Sequence, residues 1–255
     1  MKFWEITILI IAETLLSLLL FAAVIAILVF LIRQPIRKYK PVDMAIFDRL
    51  QPWTSPDKNK LMLFITFLGT HKFLIPGNLL LIFYFIFLRH QNWFSIRVAT
   101  IALSSLALMF LLKYLFQRKR PLSPLLKAAK GLSFPSGHAI MAVTFYGLLL
   151  YILLHTIDNS WMKYLVAALL VLLIMLIGYS RVYLRVHYAS DVLAGFIIGF
   201  LWLLISLSVL NGLEKYAKEN SDYLDDGIGI IKTPAIWLRP SIINGLRLIT
   251  KNKSG

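Results

Sequence analysis

Three short stretches carry side chains suited to handling a phosphoryl group: Lys113 with Arg120-Pro121, then Pro135-Ser136-Gly137-His138, then Ser180-Arg181 with His187 and Asp191. Lys113 and Arg120 are seven residues apart, near two helical turns, so a helix reaching that far returns both cations to one side. Lys113 lies inside an apolar run, about one turn from its polar end, where an ammonium needs an anionic partner or a path to the interface. Pro135-Ser136-Gly137-His138 sits where a loop becomes a helix. There Ser136 can cap, Gly137 lets an anion approach the backbone, and the first-turn N–H groups point outward. His187 and Asp191, four apart, share one face of a continuous helix, so the carboxylate can accept the imidazole N–H. That bond fixes the tautomer and leaves the other ring nitrogen its lone pair, as a nucleophile requires. Arg181, six residues before His187, adds a bidentate fork suited to phosphate.

Each stretch alone has an ordinary explanation: a snorkelling lysine, a Ser-capped helix, a structural His–Asp pair. Together, three cations, an amide cradle, one oriented histidine and one free histidine make a phosphoryl-transfer site. Arg118, Lys119, Lys127, Lys130 and Arg185 border it and read as a solvated basic rim, since exposed charges need no special partner. His71 falls near the site-side end of a span, in position to line a pocket, whereas His90 and His155 fall in loops on the opposite side.

The elements that must hold these groups are membrane helices. In 255 residues, 59% are hydrophobic and only 15% charged, a balance no soluble core absorbs. At about 20 apolar residues per span, the chain has material for roughly five to seven helices. The run Ile6 to Ile32 is too long for a cleaved secretory segment, whose apolar part is about 7–15 residues, and reads as a retained first span. Phe73–Leu88, 96–116, His138–Leu154, Tyr164–Tyr179 and Val192–Leu210 follow, giving an all-α integral membrane bundle of six helices with both termini on one side. Arg33–Asn59, rich in proline and charge, reads as an extramembrane loop with short helical pieces. Lys60–Leu68 is too short to span and reads as an interfacial or half-buried helix ended by Gly69-Thr70. Residues 1–212 thus form the transmembrane domain, with the motifs inside 113–191. Residues 213–255 form a polar and then basic tail, whose stretch from Ala235 to Lys253 is suited to lie on the membrane.

The net charge of +15 points to anionic headgroups or phosphorylated substrates, with no nucleic-acid partner expected, and the lack of cysteine excludes disulfides and Cys metal sites. By alternation, the loops at 33–72 and 117–135 and the turn at 180–191 share one face. It holds 16 of the 27 Lys and Arg residues, which by the positive-inside rule slightly favours a cytoplasmic location.

Lys-x6-Arg-Pro, Pro-Ser-Gly-His and Ser-Arg-x5-His-x3-Asp, in that order, resemble the three signature motifs of the type 2 phosphatidic acid phosphatases. The resemblance covers 113–191 closely and the rest of the chain only through the six-helix layout. It implies that His187 attacks phosphorus, Asp191 orients it and His138 protonates the leaving oxygen, while Lys113, Arg120, Ser136, Gly137 and Arg181 hold the phosphoryl oxygens. It also implies chemistry with no metal or other cofactor; the three cations can neutralise the transferring group, and the sequence sets no carboxylate cluster beside them to hold Mg²⁺. Ala189 stands where relatives often carry proline. The implied activity is hydrolysis of a lipid phosphomonoester or diphosphate, such as a polyprenyl diphosphate (undecaprenyl diphosphate in a bacterium), phosphatidylglycerol phosphate or phosphatidic acid. A lipid phosphotransferase would use the same residues with a lipid acceptor. A non-catalytic lipid-phosphate binder or transporter would have no need of His187 and Asp191 at this spacing. The resemblance places the chain in a bacterial cytoplasmic membrane, with the catalytic face on the periplasmic side and the termini cytoplasmic, against the charge count.

Overall fold

Long runs of Leu, Ile, Val and Phe fold here as helices, because a segment that crosses a bilayer must satisfy its backbone polar groups internally. The computed structural model describes residues 40–121, 125, 131–156 and 161–227, and within them every regular element is helical. They are α1 (Lys40–Leu50), a 3-10 turn (Gln51–Trp53), α2 (Pro56–Phe67), α3 (His71–Phe83) running into a π-helical turn (Tyr84–Leu88), α4 (Asn92–Phe116), α5 (Gly137–Thr156), α6 (Trp161–Tyr183) and α7 (Ala189–Gly227).

Among the described residues, five helical stretches are long and apolar enough to cross a membrane: Pro56–Leu88, Asn92–Phe116, Gly137–Thr156, Trp161–Tyr183 and Ala189–Ala217. The protein is therefore a multi-pass membrane protein, helical in every regular element of the described residues. The expected first span, Ile6 to Ile32, lies outside the described residues, and the placement of the termini and the tail stretch from Ala235 lie outside them too. Large apolar side chains such as Leu80, Leu103, Phe110, Leu172 and Phe200 are exposed, as a lipid-facing surface requires.

Lys60–Leu68 lies in α2 and its C-cap, a short helix separated from α3 by a break at 68–70, where the sequence places its end. By length and composition, Pro56–Leu88 as a whole also qualifies as one candidate span. Ser55 caps α2, accepting the Lys58 N–H at 3.4 Å, with Pro56 in the first turn. The break falls at Gly69, where a Cβ would stand 2.7 Å from Ile177 Cγ2 and 3.3 Å from His138 Cδ2, so only glycine permits this approach. The Tyr146 hydroxyl donates to the Leu68 carbonyl at 2.8 Å, satisfying an acceptor at the break.

Helix α5 is central, packing against α4 and α6. Its Ala142, Phe145 and Tyr146 join Ile65, Leu74 and Ile177 in one apolar cluster. Helix α7 crosses α5 on small residues: a Cβ at Gly195 would lie 2.8 Å from Ala139 Cβ and 2.9 Å from the Ser136 carbonyl. Helix α1 buries Phe47 against Val182, Tyr188 and Val192. By internal packing the chain divides into Met1–Val209 and Leu210–Gly255, and in the second unit α7 continues to Gly227, so the tail begins as helix.

Candidate functional site

The three polar stretches meet at one end of the bundle: the C-terminal end of α4, the N-terminus of α5, and the turn from α6 into α7. Helix α4 stops at Phe116, and Gln117 takes a left-handed conformation (φ +49°) with its N–H on the Lys113 carbonyl at 3.0 Å. Arg120 consequently arrives by a loop and not by a continued helix face. The Lys113 ammonium donates to the carbonyls of Leu132 (2.9 Å) and Pro135 (3.0 Å), which leaves one of its three N–H bonds over. Arg120 donates through Nη1 to the Val186 carbonyl (2.8 Å) and through Nε to the Gly131 carbonyl (3.2 Å). Arg181, nearly buried on α6, donates through Nη1 to Thr66 Oγ1 at 2.8 Å, and the Ser180 hydroxyl donates to the same oxygen at 3.0 Å.

At the start of α5 the Ser136 carbonyl accepts the Ile140 N–H (3.1 Å), which opens the helix. The N–H groups of Gly137, His138 and Ala139 then have no acceptor within the helix. The Ser136 side chain caps nothing: its Oγ is buried without a partner, as are His138 Nε2 and Arg181 Nε. A buried polar group left unpaired costs about 1–3 kcal/mol, so three in one place, beside open helical amides, mark a site shaped for an acceptor-rich ligand. Lys113, Arg120 and Arg181 all act electrostatically on His138, so that ligand is an anion. At Gly137 a Cβ would lie 2.4 Å from Met109 Sδ, so a larger residue there would have to displace that flexible side chain.

His187 lies in the turn before α7, and only 1% of it is exposed. Its Nδ1 is 2.7 Å from the Ser133 carbonyl and 3.7 Å from Asp191 Oδ2. A carbonyl only accepts, so Nδ1 carries the proton and Nε2 carries the lone pair. The nearest acceptor is thus the Ser133 carbonyl rather than the Asp191 carboxylate. Nε2 stands 3.3 Å from Arg120 Nη1, which donates to it. Burial, reinforced by the charges of Arg120 and Arg181 and opposed by Asp191, pushes the imidazole down to about 4. The ring is neutral at pH 7.

Asp191, in the first turn of α7, reaches back to accept the Tyr188 N–H at 2.9 Å, the carboxylate half of a capping box. It also accepts the Ser133 hydroxyl and Arg118 Nη1. The Asp191 carbonyl in turn accepts the Ser136 N–H at 3.0 Å, joining α5 to α7.

Arg118 is not part of a solvated rim. The left-handed turn at Gln117 directs it inward, where its side chain is 10% exposed and pairs with both Asp43 and Asp191. Arg185 is also engaged, donating to the Phe47 carbonyl at 3.2 Å with its guanidinium 5.8 Å above the Phe47 ring. Lys119 is exposed, Lys127 and Lys130 lie outside the described residues, and His71 is exposed at the start of α3. Three participants escaped the sequence reading, Asp43, Thr66 and Ser133, and the sequence sets Arg118 at the site's border but not in its interior. Only Ser133, two residues before the Pro-Ser-Gly-His run, carried a local hint.

Residues 94–214 match the family model described as the PAP2 superfamily. Phosphatidylglycerophosphatase B of Bacillus subtilis (strain 168) is 34% identical over 155 residues, covering 59% of this chain and 72% of that protein. The crystal structure of the first transmembrane PAP2 type phosphatidylglycerolphosphate phosphatase, from Bacillus subtilis, is similar with a TM-score of 0.64 at 28% identity, over 74% of this chain and 94% of that one. Aquifex aeolicus LpxE is 28% identical with a TM-score of 0.49, over 65% of this chain and 94% of that one, a likeness too loose to argue from.

Proposed function

The chain belongs to the PAP2 superfamily, and from that premise we propose that it removes a phosphate from a lipid phosphomonoester or diphosphate through a phosphohistidine. Family and relatives make it a membrane lipid phosphatase; the chemistry, the residue roles and the substrate are the proposal. One observation carries it. Beside a neutral histidine with its Nδ1 tied off, Ser136 Oγ, His138 Nε2 and Arg181 Nε are buried with no partner.

In this reading the phosphoryl oxygens take hydrogen bonds from Ser136, Arg181, Lys113 and the amides that open α5. Arg120 transfers its Nη1–H from His187 Nε2 to a phosphoryl oxygen. The freed lone pair attacks phosphorus in line with the ester oxygen. As the new N–P bond forms and the P–O bond breaks, His138, protonated at Nε2 while the phosphate anion is bound, gives that proton to the departing oxygen and becomes neutral. The phosphoimidazole is cationic, and the Ser133 carbonyl and Asp191 carboxylate beside Nδ1 stabilise that charge. Water then loses a proton to His138 and attacks phosphorus, releasing phosphate and restoring neutral His187. The three cations and the amides balance the transferring oxygens, so turnover persists in EDTA, and orthovanadate inhibits as an analogue of the five-coordinate state. Loss of activity on chelation with rescue by Mg²⁺ would overturn the metal-free mechanism.

Phosphatidylglycerol phosphate is the first substrate to test, because the relative at 34% identity is a phosphatidylglycerophosphatase. Phosphate release by purified protein, compared across phosphatidylglycerol phosphate, a polyprenyl diphosphate and phosphatidic acid, with and without an acceptor lipid, tests the activity and separates hydrolysis from transfer. No release from any of the three defeats the reading. We place the catalytic face outside a bacterial cytoplasmic membrane and the termini inside, since several basic residues on that face serve the site rather than topology. With no native cysteine to interfere, Asp57→Cys, whose parent side chain is 94% exposed, should react with an impermeant thiol reagent in intact cells. Ser221→Cys should react only after permeabilisation. The reverse pattern puts the site in the cytoplasm.

A further inference from the structure

We propose that Asp43, outside the three motifs, and Arg118, at an unspecified position within the first, are positioning residues that hold Asp191, and through it His187, in register for attack. This rests on the reading of His187 as the nucleophile. Asp43 comes from α1 and Arg118 from the loop after α4, and both close on the first turn of α7. Asp43 Oδ1 accepts the Ser190 N–H at 3.0 Å, and its Oδ2 accepts the Ser190 hydroxyl at 2.6 Å and Arg118 Nη2 at 2.8 Å. Arg118 Nη1 donates to Ser190 Oγ at 2.8 Å and to Asp191 Oδ1. Asp43 therefore reaches Asp191 by two routes, through its neighbour Ser190 and through the guanidinium.

The arrangement is rigid for identifiable reasons. Asp43 is 2% exposed and Asp191 is fully buried, so no water competes for their oxygens. The guanidinium lies 4.1 Å above the Tyr188 ring, and that ring stacks on Phe47 of α1 at 5.8 Å. With Tyr188 N–H and Ser133 Oγ–H on Oδ2 and Arg118 on Oδ1, the Asp191 carboxylate is held at both ends and cannot rotate. Only a planar fork spans these acceptors, so lysine at 118 could not reproduce the geometry. None of the residues assigned to the phosphoryl oxygens belongs to this ring, so its loss should act on the attack step and leave anion binding intact.

The test compares wild type, Asp43→Asn and Arg118→Gln, measuring kcat and KM on phosphatidylglycerol phosphate and the inhibition constant of inorganic phosphate. Asp43→Asn keeps the shape and an acceptor for Ser190 while removing the charge that holds Arg118. By analogy with outer-shell partners elsewhere, kcat should fall about 10–100-fold, while KM and the phosphate inhibition constant stay within about twofold. Unchanged kcat overturns the proposal. So does a loss of kcat accompanied by a matching weakening of phosphate inhibition, which would make Arg118 a ligand of the anion. Failure of both variants to give folded protein also overturns it, by making the pair purely structural. Wild-type protein that releases phosphate while the variants match it defeats this inference alone, whereas inactive wild-type protein defeats the proposed function and this inference with it.

Discussion

The two halves of the site are built on opposite principles. On the side of Ser136, His138 and Arg181, buried polar atoms stand without partners. On the side of His187 and Asp191, the imidazole is held at both nitrogens and both carboxylate oxygens are taken. The first half leaves its hydrogen-bonding capacity for a ligand, and the second spends it on orientation. A polar group left open in a dry interior lowers stability, and one fully engaged raises it. Substitutions in the two halves should therefore separate activity from stability.

The largest effect is expected at His187. His187→Ala should bring phosphate release to background while the protein still inserts, because it deletes the proposed nucleophile; wild-type-like release from this variant sinks the mechanism. Next comes Arg181→Ala, which removes a donor aimed at developing charge and should lower kcat by about 10²–10³-fold. Equal activity to wild type would remove Arg181 from the phosphate site.

The paired serines sharpen the contrast. Ser133→Ala deletes a donor to a buried carboxylate and should destabilise the detergent-solubilised protein by about 1.5–3 kcal/mol. Ser136→Ala deletes an unpaired hydroxyl, so stability should hold or rise by about 1 kcal/mol while kcat/KM falls. Thermal unfolding of the two variants side by side checks this; equal destabilisation would erase the distinction between the halves.

The smallest effect is in pH dependence. Burial holds His187 at about 4 against an ordinary 6.5, so the acid limb of kcat/KM should fall near pH 4. The sign for stability follows from the unfolded chain, whose histidine takes up a proton near pH 6.5 while the folded one does not until about 4. The stability gained from burying a neutral ring is present above 6.5 and lost as pH drops through that window. An acid limb near 6.5 that disappears in no other variant would show that His187 is not shielded as described.

What the sequence reveals of this site tracks how local each constraint is. The motif residues are legible because their charged and histidine side chains cluster at the ends of apolar runs, although helix periodicity misplaces Arg120, which a loop carries to the site. Five apolar runs are legible because bilayer thickness fixes their length. Asp43 is not, since it contacts residues 75 and 147 positions away and sits in a stretch whose prolines and charges read as an ordinary loop. Arg118 belongs to an Arg-Lys-Arg run, where no periodicity separates the inward residue from the outward one; the backbone turn at Gln117 makes that choice. Lys60–Leu68 is legible as a short helix because Gly69-Thr70 ends it, while its start at Pro56 is hidden among the prolines and charges of the preceding stretch. The His187–Asp191 spacing overstates their direct bond because His187 precedes α7 and the Ser133 carbonyl reaches the ring first.

The Ser136 N–H to Asp191 carbonyl bond carries a consequence for how such a protein diversifies. It joins two peptide groups, so no side-chain replacement at either position deletes it, save proline at 136. The spacing between the proposed acid on α5 and the proposed nucleophile before α7 is thereby insulated from drift in amino-acid identity. The lipid-facing surface carries no such tie, and its Leu, Ile and Phe residues interchange at little penalty. Lineages can therefore exchange one lipid tail for another by altering the outside of the bundle while the reacting atoms keep their separation.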